Sequence, residues 1–193
     1  KTYDPDNEFD EEYFEFGLFM SRREYKTINR RLQRGRELSV SEGKFVGNIA
    51  PFGYDRVKLK NAKGYYLSIN QNESSVVKEI FRLYAFENTS INSVAKQLNK
   101  LNLKPRIANE WSISSVKDIL SNPIYIGKLT WNRRKQKKKT KNGHLIISRP
   151  RNQDYLIYDG LHKPIIDNKT WELVQEKRKQ NTPKVKHNNT IQN

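Results

Sequence analysis

The stretch that most restricts this chain is residues 111–127, WSISSVKDILSNPIYIG. Its apolar residues recur at helical spacing and then stop at a proline. Ile113, Val116, Ile119 and Leu120 fall on one face, with Ser114, Ser115 and Asp118 opposite. Ser112 is placed to cap the helix, and Asn122-Pro123 ends it. Upstream, Ile91, Val94, Ala95, Leu98 and Leu101 mark a second amphipathic helix with Ser90 as its cap. The two are joined by a polar and basic loop, which predicts a helix-turn-helix-like unit whose second helix enters a DNA groove.

Charge supports a polyanionic partner. Lys and Arg number 37 against 21 Asp and Glu, a net charge of +16. Residues 1–15 contain seven acids and one base, so they carry −6 and leave +22 for the remainder. Such an excess fits nucleic acid or an acidic membrane surface better than solubility alone. No apolar run reaches the ~20 residues of a membrane span and no signal peptide opens the chain, so no membrane role is expected. The start at Lys1 rather than Met hints at a piece of something longer.

Cysteine is absent, which removes disulfides, thiolate zinc sites and thiol nucleophiles and fits a reducing compartment. His144, His162 and His187 lie far apart in sequence, so neither metal nor cofactor is expected. No clustered carboxylates suit a metal nuclease, and no glycine-rich phosphate loop occurs. The serines at 112, 114, 115 and 121 lack an evident base, which favours capping and phosphate contact over nucleophilic chemistry.

The remaining segments predict an α+β, mainly α, fold. Residues 7–42 read as one long helix. Its first half is acidic and aromatic, suited to docking on protein. Its second half spreads Arg22, Arg23, Lys26, Arg30, Arg31, Arg34 and Arg36 around the circumference, as a helix lying along phosphates would; a merely solvated helix is the plain alternative. Residues 44–51 form an extended linker in which Lys44 and Asn48 could reach a minor groove, or serve as a linker only. Residues 52–57 and 65–69 predict a hairpin, and residues 73–87 a core helix.

After Pro123, strands are predicted at 126–131, 145–148 and 155–158. The tip between the first two holds Arg133, Arg134, Lys135, Lys137, Lys138, Lys139 and Lys141, seven bases in nine positions. They would repel one another without an anion, unless the tip simply has no fixed contact. Residues 168–180 predict a last helix with Trp171, Leu173, Val174 and the Lys177 stem inward. The domains are then 1–43, a connecting helix; 44–180, a compact DNA-binding unit with small antiparallel hairpins; and 181–193, a polar tail.

The motifs APFGY (50–54), VVKEIFRLYA (76–85), SVAKQLNKLNLKP (93–105), WSISSVKDILSNPIYIG and DGLHKPIIDNKTWELVQ (159–175) occur in this order. The series, over about residues 44–180, resembles the recombinase domain of the large serine recombinases, the phage integrases and mobile-element transposases of bacteria. The resemblance implies a parent protein of the bacterial cytoplasm that breaks two DNA sites through phosphoserine links supplied by a separate resolvase-like domain. It implies a dimer on each attachment site, a tetramer in synapsis, exchange by rotation, and a cysteine-bearing zinc ribbon elsewhere. Residues 7–42 look like the helix that leads out of the catalytic domain.

On this reading the fragment is a monomer that binds double-stranded DNA without cutting it. Ser112, Ser114, Ser115 and Lys117 would meet the major groove, with Lys104, Arg106 and Asn109 from the preceding loop. The long helix, the linker and the basic tip would follow the backbone. A helix-turn-helix transcriptional regulator is the runner-up, and an RNA-binding module the third choice, since no strand carries the usual stacking aromatics.

Overall fold

The computed structural model describes residues 4, 6–87, 89–134, 136–141 and 143–181. The polar tail expected at 181–193 therefore lies, after Asn181, outside the described residues, as does Lys135.

The long helix α1 runs Glu8–Ser41, with Asn7 Oδ1 accepting from the Phe9 N–H at 3.1 Å and Glu8, Asp10 and Glu11 in its first turn, where the helix dipole favours acids. Its other end is a Schellman cap. The Lys44 N–H reaches Ser39 O and the Gly43 N–H reaches Val40 O, both at 2.9 Å. Gly43 has φ 76°, and a side chain there would strike Asp159 O and Leu161 N. The Leu161 N–H in turn donates to Gly43 O at 2.9 Å. With Val40 buried, the end of α1 is thus seated on the domain.

Strands β1 (Tyr54–Lys58) and β2 (Tyr65–Ile69) form the expected antiparallel hairpin. Three helices follow: α2 (Gln71–Phe86), α3 (Ile91–Lys100) and α4 (Ile113–Leu120). They begin on Asn70, Ser90 and Ser112, whose side chains accept from backbone N–H groups, a device worth about 1 kcal/mol each. Helix α2 is the hub, and α3, α4 and the last helix, α5 (Asn168–Gln180), all pack on it. Its Val76, Val77, Ile80, Phe81, Leu83 and Tyr84 are buried, as its wide apolar face predicts.

The strands after Pro123 pair differently from expectation. Strand β3 (Lys128–Trp131) pairs antiparallel with β6 (Leu156–Asp159), and the basic segment is itself a strand, β4 (Lys137–Lys141), paired with β5 (His144–Ser148). The expected tip is therefore a separate hairpin, projecting from the β3–β6 pair. Three apolar side chains assigned inward, Leu101, Ile113 and Leu173, are exposed. Leu101 follows the last residue of α3 as its carboxyl-terminal cap and Ile113 is the first residue of α4, both at helix ends where the apolar stripe has already turned away from the core.

Helix α5 holds its neighbours by their carboxyl ends. Lys177 Nζ donates to Tyr84 O at 2.8 Å and Gln175 Nε2 to Leu120 O at 2.8 Å. Carbonyls in the last turns of α2 and α4, which have no helical partner of their own, are satisfied this way. The Lys177 stem is inward, as expected, but its ammonium has a defined acceptor.

At the centre, the APFGY, NPIYIG and DGLHKPIID segments are tied into one knot. Tyr54 Oη donates to Lys163 O at 3.0 Å, Tyr125 Oη to Phe52 O at 2.9 Å, and the Ile165 N–H to Tyr125 O at 3.0 Å. The Tyr54 and Tyr125 rings stack at 6.1 Å, and the His162 ring meets Tyr54 edge-on at 5.2 Å. His162 Nε2 lies 2.8 Å from Ile124 O, and Gly160 leaves the space that its ring fills.

Burial pushes the His162 imidazole below its ordinary value of 6.5, an effect only partly opposed by the Ile124 carbonyl. The folded state therefore holds a neutral ring, and the unfolded chain takes up the proton first as pH falls. Stability is full above 6.5 and declines below it. Urea midpoints measured near about pH 7.5 and 5.5 should fall in the wild type and fall less in His162→Gln. Equal slopes in both would refute a neutral buried ring.

Candidate nucleic-acid interface

The start of α4 is a reciprocal capping box. Ser112 Oγ accepts from the Ser115 N–H at 3.2 Å, and Ser115 Oγ accepts from the Ser112 N–H at 3.0 Å. Ser114 Oγ shares a hydrogen bond with Ser112 Oγ at 2.9 Å. Two of the three serines expected at the groove thus build the helix start, and Ser115 is only partly exposed. Ser114 and Lys117 face solvent. Val116, Ile119 and Leu120 are buried behind them and fix the outward face.

Residues 101–112 join α3 to α4, well beyond the about 3–4 residues of a tight helix-turn-helix connection. The loop is nevertheless clamped. Asn99 Oδ1 accepts from the Trp111 N–H at 2.8 Å while Asn99 Nδ2 donates to Trp111 O at 3.1 Å. The Trp111 indole donates to Leu103 O at 2.6 Å and packs edge-on against Phe52 at 5.1 Å. Within this loop Lys104 and Asn109 line one depression of about 280 Å³ together with Asn99 and Asn102.

Arg106 has another occupation. Its guanidinium pairs with the Glu73 carboxylate and donates to Ala50 O at 2.9 Å and Tyr54 O at 3.0 Å. Burial alone would push the Glu73 carboxyl up, but the Arg106 hydrogen bonds, the Gly53 N–H and the guanidinium charge outweigh it and hold the group below its ordinary value. Four of the donor contacts of Arg106 are spent on the scaffold, which leaves it badly placed to read a base edge.

Arg22, Arg23, Arg30, Arg31, Arg34 and Arg36 are exposed on α1, and Asn48 is exposed on the linker. Lys44 pairs with Glu42 at 2.5 Å, which lessens its availability. Lys137, Lys138 and Lys139 are exposed along β4. Arg133 and Arg134 line a cleft of about 630 Å³ with Trp131, Arg149 and, from α1, Gln33 and Glu37. Asn99, Gln175 and Arg149 had no sequence signal of their own. Each is a polar residue whose role comes only from what the fold sets beside it.

Residues 71–181, more than half of the chain, match the family described as Recombinase. This chain belongs to that family. The resemblance to the recombinase domain of the large serine recombinases, drawn from the order of the motifs, is borne out.

Two solved structures share the Recombinase fold seen here. One is described as an LSR–DNA complex, with TM-score 0.53, 23% identity, and coverage of 78% of this chain and 38% of that one. The other concerns the sequence requirements of the Listeria innocua prophage attP site, with TM-score 0.54, 21% identity, and coverage of 78% and 52%. At these identities the likeness is one of fold. This recombinase chain spans about half or less of the length of either.

Among the described residues no three His, Asp or Glu side chains cluster as metal ligands, and no helix is long and apolar enough to cross a membrane.

Proposed function

We propose that this chain is the duplex-DNA-binding part of a site-specific large serine recombinase and grips a recombination attachment site. The observation that supports the reading most directly is the set of exposed bases on three separate elements: the arginines of α1, Lys117 in the last turn of α4, and the lysines of β4, the last two within the stretch matched to the Recombinase family. Ser114 and Lys117 are the side chains presented for base contact, with Lys104 and Asn109 beside them. The arginines of α1 and the lysines of β4 meet phosphates, which position the domain without reading sequence. The two similar structures, one an LSR–DNA complex and one concerned with an attP site, point to the same partner. The parent protein works as a dimer on each site and a tetramer in synapsis, while this chain alone is a monomer.

Fluorescence anisotropy with labelled duplex tests the reading. With about six or more phosphates contacted, affinity should fall by roughly a thousandfold or more between about 50 and 200 mM salt. Replacing Lys137, Lys138 and Lys139 by Ala should lower the slope of log K against log salt by about three, at little cost in stability. Replacing Lys117 by Ala should narrow the preference for the attachment site over scrambled duplex. Affinity flat in salt would remove the DNA reading, and a stable dimer in light scattering that prefers a palindrome would favour a transcriptional regulator.

A further inference from the structure

Beyond β3 the chain brings arginines together in a way that a protein alone does not favour. Arg134 and Arg151 are direct partners across an isolated antiparallel bridge. Like charges placed directly opposite on such a pair destabilise it. The bridge is fixed by its backbone: the Asn152 N–H donates to Arg133 O at 2.9 Å, and Asn152 Nδ2 to Asn132 O at 3.2 Å. Arg149 lines the same cleft as Arg133 and Arg134, beside Trp131.

Helix α5 adds Arg178, which donates to Leu120 O and Gln175 Oε1. Burial lowers the pKa of Arg178, and the charges of Arg151 and Arg133 lower it further. Glu37 is the one carboxylate among the cleft's lining residues, against three guanidinium groups. Among the described residues, no carboxylate lies within ion-pair distance of Arg133, Arg134, Arg149 or Arg151.

We propose that this cleft is a phosphodiester clamp, in which Arg133, Arg134 and Arg149 of its lining, together with Arg151 opposite Arg134 across the bridge, hold backbone phosphates of bound duplex where α1 meets the end of β3. The inference rests on the DNA-binding reading above and names a site within it. Guanidinium groups suit the task because their planar fork can hold a phosphate by two hydrogen bonds at once. The bridge fixes the backbone of two of them before DNA arrives, whereas the lysines of β4 are flexible point charges. Gln33 and Glu37 make one wall, so α1 and the DNA backbone share a boundary at this cleft.

The test uses the full chain, labelled duplex, and the double variant Arg149→Gln/Arg151→Gln. Affinity at low salt should fall about tenfold or more and the salt slope by about two. Restoring charge with Arg149→Lys/Arg151→Lys should recover the slope but not the full affinity. The melting temperature of the Gln variant without DNA should stay level or rise at low salt, because a repulsion is removed. A Gln variant that binds with wild-type affinity and slope overturns the clamp while leaving the DNA reading intact. A markedly lower melting temperature also overturns it, in favour of a structural role. Failure of the wild type to bind any duplex overturns the DNA-binding reading itself.

Discussion

Replacing Phe81 by Ala will lower the stability of the folded chain by about 3–5 kcal/mol, seen as a large drop in the urea midpoint. Phe81 is fully buried on α2, the helix on which α3, α4 and α5 all pack. Its ring lies 6.0 Å from those of both Tyr125 and Trp171, so it joins the central knot to α5. Removing it leaves a cavity between three elements that cannot all close on it together. Phe81→Leu, which keeps much of the volume, should cost well under half as much. A change of less than about 1 kcal/mol in Phe81→Ala would mean that α2 is not the hub.

Replacing Arg106 by Ala is the second large effect, about 2–3 kcal/mol of stability. The substitution strands the Glu73 carboxylate and leaves Ala50 O and Tyr54 O without the donor each now has. Arg106→Lys should recover little, since one ammonium cannot span three acceptors in a fixed fork. The effect on DNA separates scaffold from contact. Loosening residues 101–112 should weaken binding through the misplaced α4, yet leave the slope of log K against log salt unchanged, because no phosphate contact is lost. A slope lower by about one would instead place Arg106 on a phosphate.

The helices were legible because their caps and their periodicity agree: Ser112, Ser90 and the apolar face of residues 73–87 specify starts and orientations locally. Strand pairing was not. Whether residues 126–131 join 145–148 or 156–159 depends on contacts far apart in sequence, and short half-exposed strands specify partners weakly. The motifs that carry the family resemblance turn out to build the central knot through Tyr54, Tyr125 and His162. These three residues identify the scaffold, whereas Lys104, Ser114 and Lys117, which lie in the same series of motifs, belong to the candidate interface. Charge could point to Arg106 as readily as to Arg149, since charge does not show which guanidinium is already occupied by a carboxylate.

The seat of α1 at Gly43 gives the length of that helix a meaning. A rigid helix of 34 residues is about 50 Å long, and each residue turns its far end by about 100°. One residue gained or lost within α1 would keep the domain seated at Gly43 in place and swing the acidic, aromatic end a quarter turn or more to another side. A change of seven would nearly restore the direction while moving that end about 10 Å. The helix thus acts as a gauge of both distance and angular phase, and insertions and deletions within it are constrained by geometry even where every side chain is exposed.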